Sequence, residues 1–263
     1  MKVLSWNCGG LNDPRSPTLP YRVWLTRIKK PNFVFLSETK MSFIDVKTKL
    51  AFLNPSSCFG VDSVGSKGGL VVLTWSNAAV SCILKTKNFV FCEIVESNGS
   101  LIYILFVYGE PIVEDRGDVW IDLIRIIEQY PNCLIMGDFN QLDNMEDKLG
   151  GADVIRGFDQ FYDCRLACDL HDVPFSGPRF TWSNKRDGED LIMERLDRVY
   201  ATTQWFDSYP NGKFFNQPLI CSDHAAILYD SDPEQTRSNR PYQVEGWCLY
   251  FPEIKNMIAD VWD

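Results

Sequence analysis

Cys133-Leu134-Ile135-Met136-Gly137-Asp138-Phe139-Asn140 is the stretch from which the architecture is read. Its apolar run is too short for a helix and is bounded by turn residues, so it reads as a buried strand. That strand delivers Gly-Asp-Phe-Asn at its end, and glycine, aspartate and asparagine are residues that turn a chain. Taken alone, the tetrapeptide is as well explained by a turn as by a functional site.

The same arrangement recurs along the chain. Trp6-Asn7 lies near the end of a strand over residues 2–8, and Ser37-Glu38 follows the apolar run Phe33-Val34-Phe35-Leu36. Tyr108-Gly109 closes a strand over 101–108, and Ser222-Asp223-His224 sits in an apolar stretch over 220–228. Polar residues thus collect at the C-terminal ends of apolar strands. If those strands run the same way in a sandwich, the ends converge on one mouth. A cluster of Asn, Glu, Asp, Asn, Asp and His there suits metal-assisted phosphate hydrolysis. Hard oxygens hold Mg2+, amides orient the phosphate, and a histidine supplies charge or a proton.

Further strands are expected over residues 70–75, 80–84 and 89–95, the last joined to 101–108 through a turn containing Asn98-Gly99, a strong hairpin signal. Helical spacing marks residues 21–30, stopped by Pro31, and also 120–129 and 159–168. Residues 180–182 and 193–200 read as a hairpin across a polar loop. Strands outnumber helices and come in adjacent runs, which predicts a two-sheet α/β sandwich rather than strict βαβ alternation. One domain is expected over residues 1–229. Residues 230–263 then form a polar linker and an amphipathic helix carrying Phe251, Ile254, Met257, Ile258 and Val261.

Composition bounds the function. Lysines and arginines number 26 against 35 acids, a net charge of −9, which does not advertise a nucleic-acid binder. The distribution is uneven: residues 1–30 carry six bases against Asp13, whereas 110–172 carry fifteen acids against five bases. No apolar run approaches the roughly 20 residues of a bilayer span, and the first residues lack the pattern of a signal peptide. Nine cysteines without CxxC spacing fit reduced thiols, several acting as small hydrophobes inside strands. Cys164 and Cys168 are four apart, but only two histidines exist to complete a zinc site, and His171 is given no role. The expected setting is nuclear or cytoplasmic.

Each candidate also has a plain structural reading. Asn7 could form a turn, Glu38 could face solvent, and His224 could be a buried histidine with satisfied hydrogen bonds. Asp197, inside Glu194-Arg195-Leu196-Asp197-Arg198, could be a surface salt-bridge partner. Their order along the chain is more telling than any one of them. Trp6-Asn7, Glu38, Tyr108-x-x-Pro111, Gly137-Asp-Phe-Asn140, Arg195-Leu-Asp-Arg198 and Ser222-Asp-His224 together resemble the endonuclease/exonuclease/phosphatase superfamily. The wording Leu4-Ser-Trp-Asn-Cys-Gly-Gly-Leu11, Phe35-Leu-Ser-Glu-Thr-Lys40, Phe180-Thr-Trp-Ser-Asn184 and Glu194-Arg-Leu-Asp-Arg198 is similar to the endonuclease domain of plant LINE-type (non-LTR) retrotransposons. The resemblance covers about residues 1–229, and the tail resembles the connector toward reverse transcriptase in those elements.

The resemblance implies a DNase I-like α/β fold, a four-layer sandwich of two packed mixed β-sheets flanked by helices. It also implies a Mg2+ (or Mn2+) dependent endonuclease that nicks one DNA strand to prime retrotransposition. Glu38 would ligate the metal, with Asn7 beside it. Asp138 would position or deprotonate the attacking water, and Asn140 would bond that water or the phosphate. Tyr108 would contact the phosphate or assist the leaving oxygen. His224 would donate to a phosphate oxygen while paired with Asp197. Asp223 would stabilise the leaving side or hold a second metal, and Thr181 and Ser222 would help hold the phosphate. Lys185 and Arg186, in the loop that reaches into a DNA groove in those enzymes, would contact phosphates. Partners would be DNA and, in the full-length element, a reverse transcriptase domain, with the protein itself monomeric and off the membrane.

Three departures stand out. Gly9 occupies the place of an arginine in the family's opening motif, Ala226 that of a proline, and Glu110 lies near the expected phosphate path. Two other readings remain: a same-fold enzyme acting on a small phosphoester such as an inositol phosphate, and a retroelement remnant that binds without catalysis.

Overall fold

Alternation along the strands decides which side chains face which layer. In the strand Ile102-Tyr-Ile-Leu-Phe-Val-Tyr108, Ile102, Ile104 and Phe106 belong to one buried cluster while Leu105 and Val107 belong to another. Such a strand is buried on both faces, so its sheet must lie between two other layers. The computed structural model describes residues 1–12 and 25–233. Met1–Pro233 forms one compact unit. The amphipathic stretch expected over 247–263 lies outside the described residues, as does most of the helix expected over 21–30, of which 25–29 is helical.

In chain order the elements are β1 (Lys2–Asn7), β2 (Phe33–Ser37), α1 (Phe43–Leu50), β3 (Ser57–Val64), β4 (Lys67–Thr74), β5 (Ala79–Lys85), β6 (Phe89–Val95) and β7 (Leu101–Tyr108). There follow α2 (Arg116–Gln129), β8 (Cys133–Asp138), β9 (Lys148–Leu149), α3 (Phe158–Ala167), β10 (Leu170–Asp172) and β11 (Phe175–Ser176). The last are β12 (Trp182–Ser183), β13 (Met193–Glu194), β14 (Asp197–Thr202), α4 (Thr203–Ser208), β15 (Lys213–Asn216) and β16 (Ile227–Asp230). A seven-stranded sheet runs β11-β15-β16-β1-β2-β4-β3, and a six-stranded sheet runs β10-β14-β8-β7-β6-β5. Both are mixed: β1 and β2 pair in parallel, as do β7 and β8, while most other neighbours are antiparallel.

The first core lies between the sheets. Val3, Phe33, Phe35, Leu70, Val72 and Ile227 from one meet Val90, Cys92, Ile104, Phe106, Leu134 and Met136 from the other. Phe35 and Phe106 stack across the gap at 5.0 Å. Full burial of each such apolar side chain is worth roughly 1.5–3 kcal/mol, so the two sheets are committed to each other. The second core lies on the far face of the six-stranded sheet, where Trp120, Leu123 and Ile127 of α2 and Phe161 and Cys164 of α3 meet Leu105, Ile135, Phe139 and Tyr200. On the far face of the other sheet α1 contacts β3 and β4 and buries Val46 and Leu50, with Ser42 accepting from Asp45 N at its start. The predicted four-layer α/β sandwich is the observed architecture. Among the described residues no helix is long and apolar enough to cross a membrane.

Two expectations need correction. Residues 193–200 are not one strand: β13 pairs with β12 and β9 in a small third sheet, whereas β14 joins the six-stranded sheet beside β8. The chain leaves one sheet and enters the other at Arg195-Leu196. Nor is Ser222-Asp223-His224 at the end of a strand, because these residues precede β16. β16 is antiparallel to β1, so its beginning lies at the same edge of the sheet as the end of β1.

Candidate active site

The inward-facing residues of the central strands change character at one edge. On β1 the inward series runs Val3, Ser5, Asn7, on β7 Ile104, Phe106, Tyr108, and on β8 Leu134, Met136, Asp138. β14 runs the opposite way, so its first residue, Asp197, sits at that edge, directly opposite Asp138 in register. Period-two alternation therefore lifts the inter-sheet core straight into a polar cleft.

Close backbone packing shapes the rim. A Cβ on Gly109 would stand 1.9 Å from Phe139 O, and one on Gly137 1.9 Å from Val107 O. Phe139 is buried among Trp120, Phe161 and Tyr200, which leaves Asp138 and Asn140 turned to the other side. Asn140 has φ 50°, Glu38 φ 54° and Lys40 φ 54°, backbone conformations that non-glycine residues adopt at a cost and that cluster where geometry is functionally constrained.

Asp138 joins the two sheets. Asn7 Nδ2 donates to its Oδ2 at 2.8 Å, and Asn140 N donates to its Oδ1 at 2.8 Å. His224 Nε2 stands 3.7 Å from Asp138 Oδ2, while His224 Nδ1 meets Asp197 Oδ2 at 2.9 Å. Burial works against an imidazolium here, but Asp197 and Asp138 outweigh it and push His224 up to about 9. Burial raises the Asp197 carboxyl to about 6 even though the His224 charge and hydrogen bond lower it. At neutral pH the two form an imidazolium–carboxylate pair.

Opposite this pair, Glu38 Oε1 accepts from the Tyr108 hydroxyl and from Gly68 N at 3.3 Å, and its Oε2 lies 3.4 Å from Lys40 Nζ. Burial and the Glu38 carboxylate hold the Tyr108 hydroxyl protonated far above its ordinary range. Asn140 Nδ2 donates to Gly109 O at 2.8 Å. Asp223 accepts from the Trp182 indole at 3.2 Å, and although burial opposes its ionisation, His224, its own backbone N–H and Trp182 hold it below the usual range.

A cleft of about 370 Å³ is lined by Asn7, Glu38, Tyr108, Asn140, Asp223 and His224 among others. Asp138 and Asp197 form the buried layer beneath. Two residues expected to hold phosphate are engaged by the backbone around the site. Thr181 is wholly buried, and its Oγ accepts from Leu196 N at 3.0 Å and Asp197 N at 2.9 Å, which makes it the support of Asp197. Ser222 Oγ donates to Asn7 O at 2.9 Å and accepts from His224 N at 3.1 Å, tying the 222–224 turn to the end of β1. Lys185 and Arg186 are exposed in the loop between β12 and β13 and do not line the cleft. Glu110 is engaged by Lys87 at 2.8 Å.

Lys40, Arg116, Trp182, Glu194 and Leu196 also line the cleft. Of these, Arg116 left no sequence signal, since it lies before the helix expected over 120–129 and opens α2 only in the structure. Its side chain is fixed by Glu110 O at 2.9 Å, Pro111 O at 3.0 Å and Gln141 Oε1 at 2.8 Å. Asp197 is fully buried rather than a surface salt-bridge partner, because it takes the inward position on β14 while Arg198 takes the outward one.

Two donor sets could hold a divalent cation. Asp138, Asp197 and His224 place donor atoms within 4.8 Å of one another. Glu38, Asn7 and Asp223 offer hard oxygens around the cleft, and Glu38 already faces an ammonium group, so these residues fit a cation such as Mg2+.

The described residues thus form a two-sheet sandwich with a buried Asp–His–Asp cluster under an oxygen-rich cleft. The sequence signature of the Endonuclease/Exonuclease/phosphatase family matches residues 4–224, and the chain belongs to that family. Among solved structures it is similar to the 3'-5' exonuclease NExo of Neisseria meningitidis, with a TM-score of 0.68 and 16% identity over 88% of this chain and 100% of that one. The AP endonuclease LMAP of Leishmania major also matches with a TM-score of 0.68, at 16% identity over 87% and 86% of the two chains. The endonuclease domain of TRAS1, a telomere-specific non-LTR retrotransposon, matches with a TM-score of 0.64 at 18% identity over 87% and 97%. At these identities the likeness establishes the fold. No match was found among curated protein sequences.

Proposed function

We propose that the protein is a divalent-metal-dependent phosphodiesterase that nicks one strand of duplex DNA in the service of a plant LINE-type retrotransposon. The observation that carries this reading is the setting of Asp138. It is hydrogen-bonded by Asn7 and by Asn140 N and lies beside an imidazole backed by Asp197, with Glu38 across the cleft.

In-line attack on a phosphodiester needs a water that loses a proton and charge that settles on phosphate oxygens. Asp138, oriented by its two donors, accepts that proton. His224, protonated and held by Asp197, donates to a phosphate oxygen and offsets its charge. Asn140 and Asn7 orient the water and phosphate through their amides. Tyr108 is kept protonated and assists the leaving oxygen, with Asp223 on the leaving side. Glu38 with Asn7 would hold Mg2+ or Mn2+, and the bound cation would supply Lewis-acid charge to the phosphate. Exposed Lys185 and Arg186 contact the DNA backbone.

The retrotransposon role draws support from the motif wording and from the fold shared with the TRAS1 endonuclease domain. On this reading residues 230–263 lead toward a reverse transcriptase domain, the endonuclease acts as a monomer, and its place of work is the nucleus or the cytoplasm. The test is a duplex oligonucleotide incubated with protein and Mg2+, followed by a DNA polymerase and labelled nucleotides. Extension from the nick requires a 3′-hydroxyl and is the expected result. Cleavage of an inositol phosphate with intact DNA would overturn the endonuclease reading.

A further inference from the structure

Beneath the candidate site, on the outward side of β14, lies a buried ionic cluster that the proposed chemistry does not use. Asp147 closes a short turn, Met145–Asp147, in the segment that continues from Asp138 and Asn140. Its carboxylate is wholly buried and faces three arginines: Arg195 Nε at 3.0 Å, Arg179 Nη2 at 3.3 Å, and Arg198 in direct contact. Its backbone carbonyl accepts Arg195 N at 2.9 Å. Asp172 shares Arg195 and Arg198 at 2.8 and 3.2 Å but is partly exposed.

The three arginines are not scattered. Arg195 and Arg198 flank Asp197, and Arg179 stands just before Thr181, whose hydroxyl receives the backbone N–H of Asp197. The residues on either side of Asp197, and the segment that carries Thr181 beneath its backbone N–H, are therefore tied to one buried charge. A buried ionic cluster adds little net stability over an apolar replacement, so its value lies in the geometry it imposes. Alternation makes this effective: Arg198 is held outward, and its neighbour Asp197 is thereby held inward against His224.

We propose that Asp147 is the positioning residue of the Asp197–His224 pair, gathering Arg195 from the crossing before β14, Arg198 of β14 and Arg179 of the Thr181 segment so that the imidazole is held at the cleft. This rests on the reading of His224 as the group that faces the phosphate. The neighbouring Asp172 anchors Arg195 and Arg198 but not Arg179, and does not join them to the segment that carries Asp138.

The test compares Asp147→Asn, Asp172→Asn and Arg195→Lys in a His171→Gln background, where His224 is the one remaining imidazole. Three quantities are read: the thermal unfolding midpoint, kcat and KM for Mg2+-dependent DNA nicking, and the downfield proton resonance of the His224–Asp197 hydrogen bond. Asp147→Asn, assayed below its own unfolding midpoint, is expected to lose about 10–100-fold in kcat with KM little changed, as for other residues that orient a ligand through a second side chain. The downfield resonance is expected to shift or disappear. Asp172→Asn is expected to lower the unfolding midpoint while keeping kcat and the resonance. A folded Asp147→Asn protein with parental kcat and resonance overturns the proposal, as does an equal loss of kcat in Asp172→Asn. Should Asp147→Asn not fold, Arg195→Lys, which keeps the charge and loses the fork, is read against the same two outcomes. If the parent cleaves no DNA, the functional reading fails separately and the resonance alone decides the positioning role.

Discussion

At the scale of single residues, function turns on where protons sit. His224 is raised to about 9 by Asp197 and Asp138, and Asp197 is raised to about 6 by burial. Between these limits the imidazole is charged and its partner ionised. Cleavage should therefore fall as pH rises through about 9, where His224 loses its proton, and fall again as pH drops through about 6, where Asp197 gains one. Asp197→Asn removes the carboxylate that does most to raise His224, so its alkaline limb should move down toward the ordinary histidine range near 6.5. A pH–rate profile of both proteins checks this, and an alkaline limb unmoved in the variant would count against the pair. Much at this scale was legible in the chain. Asn7, Glu38, Tyr108, Asp138 and Asn140 announce themselves as polar residues ending apolar strands. The backbone hydrogen bonds of Thr181 and Ser222 were not legible, because a hydroxyl that serves backbone N–H and C=O groups looks the same in sequence as one that serves a ligand.

At the scale of elements, register does the positioning. β8 and β14 place Asp138 opposite Asp197, and the turn before β16 brings His224 to them through Ala225 N to Thr181 O at 2.6 Å and Ser183 N to Asp223 O at 3.0 Å. Thr181 is the joint of this assembly. Thr181→Val keeps the shape but leaves two buried N–H groups without their acceptor, a loss of about 1–3 kcal/mol for each such group left unsatisfied. A thermal melt should show the midpoint reduced by several degrees, and catalysis should fall with it because Asp197 N is one of the two donors. An unchanged melt would mean that water replaces the hydroxyl. The strands with long apolar runs, β6 and β7, were readable to the residue. α1 and β3 were not read: α1 buries only Val46 and Leu50, and β3 is an edge strand of mixed exposure. The break between β13 and β14 also escaped, since a continuous strand-like pattern carries no mark of a change of sheet.

At the scale of the whole molecule, the fold was the most legible feature and the substrate the least. Adjacent strands broken by single helices imply two sheets whatever the detailed register. A net charge of −9 gives no help with DNA, and any electrostatic attraction must come from local cations. Lys185 and Arg186 are exposed in the β12–β13 loop, and the Lys185 charge is among those that favour an ionised Asp223. Replacing both with alanine should raise KM for DNA and leave kcat near the parental value. The salt slope of binding should fall by about 2, one for each phosphate no longer neutralised. Binding measured over a range of salt concentrations checks this, and an unchanged slope would remove these residues from the interface.

The central proposal is that the Asp138–His224–Asp197 cluster cleaves DNA phosphodiesters with a divalent cation. The most direct test is supercoiled plasmid incubated with the purified protein in Mg2+ or in EDTA, beside an Asp138→Asn/His224→Ala double variant of unchanged fold. Relaxed circles formed only by the parent protein, only with metal, are the predicted result, with the variant slower by at least about 100-fold. Supercoiled DNA left intact by the parent in Mg2+ or Mn2+, or relaxed equally by the double variant, would contradict it.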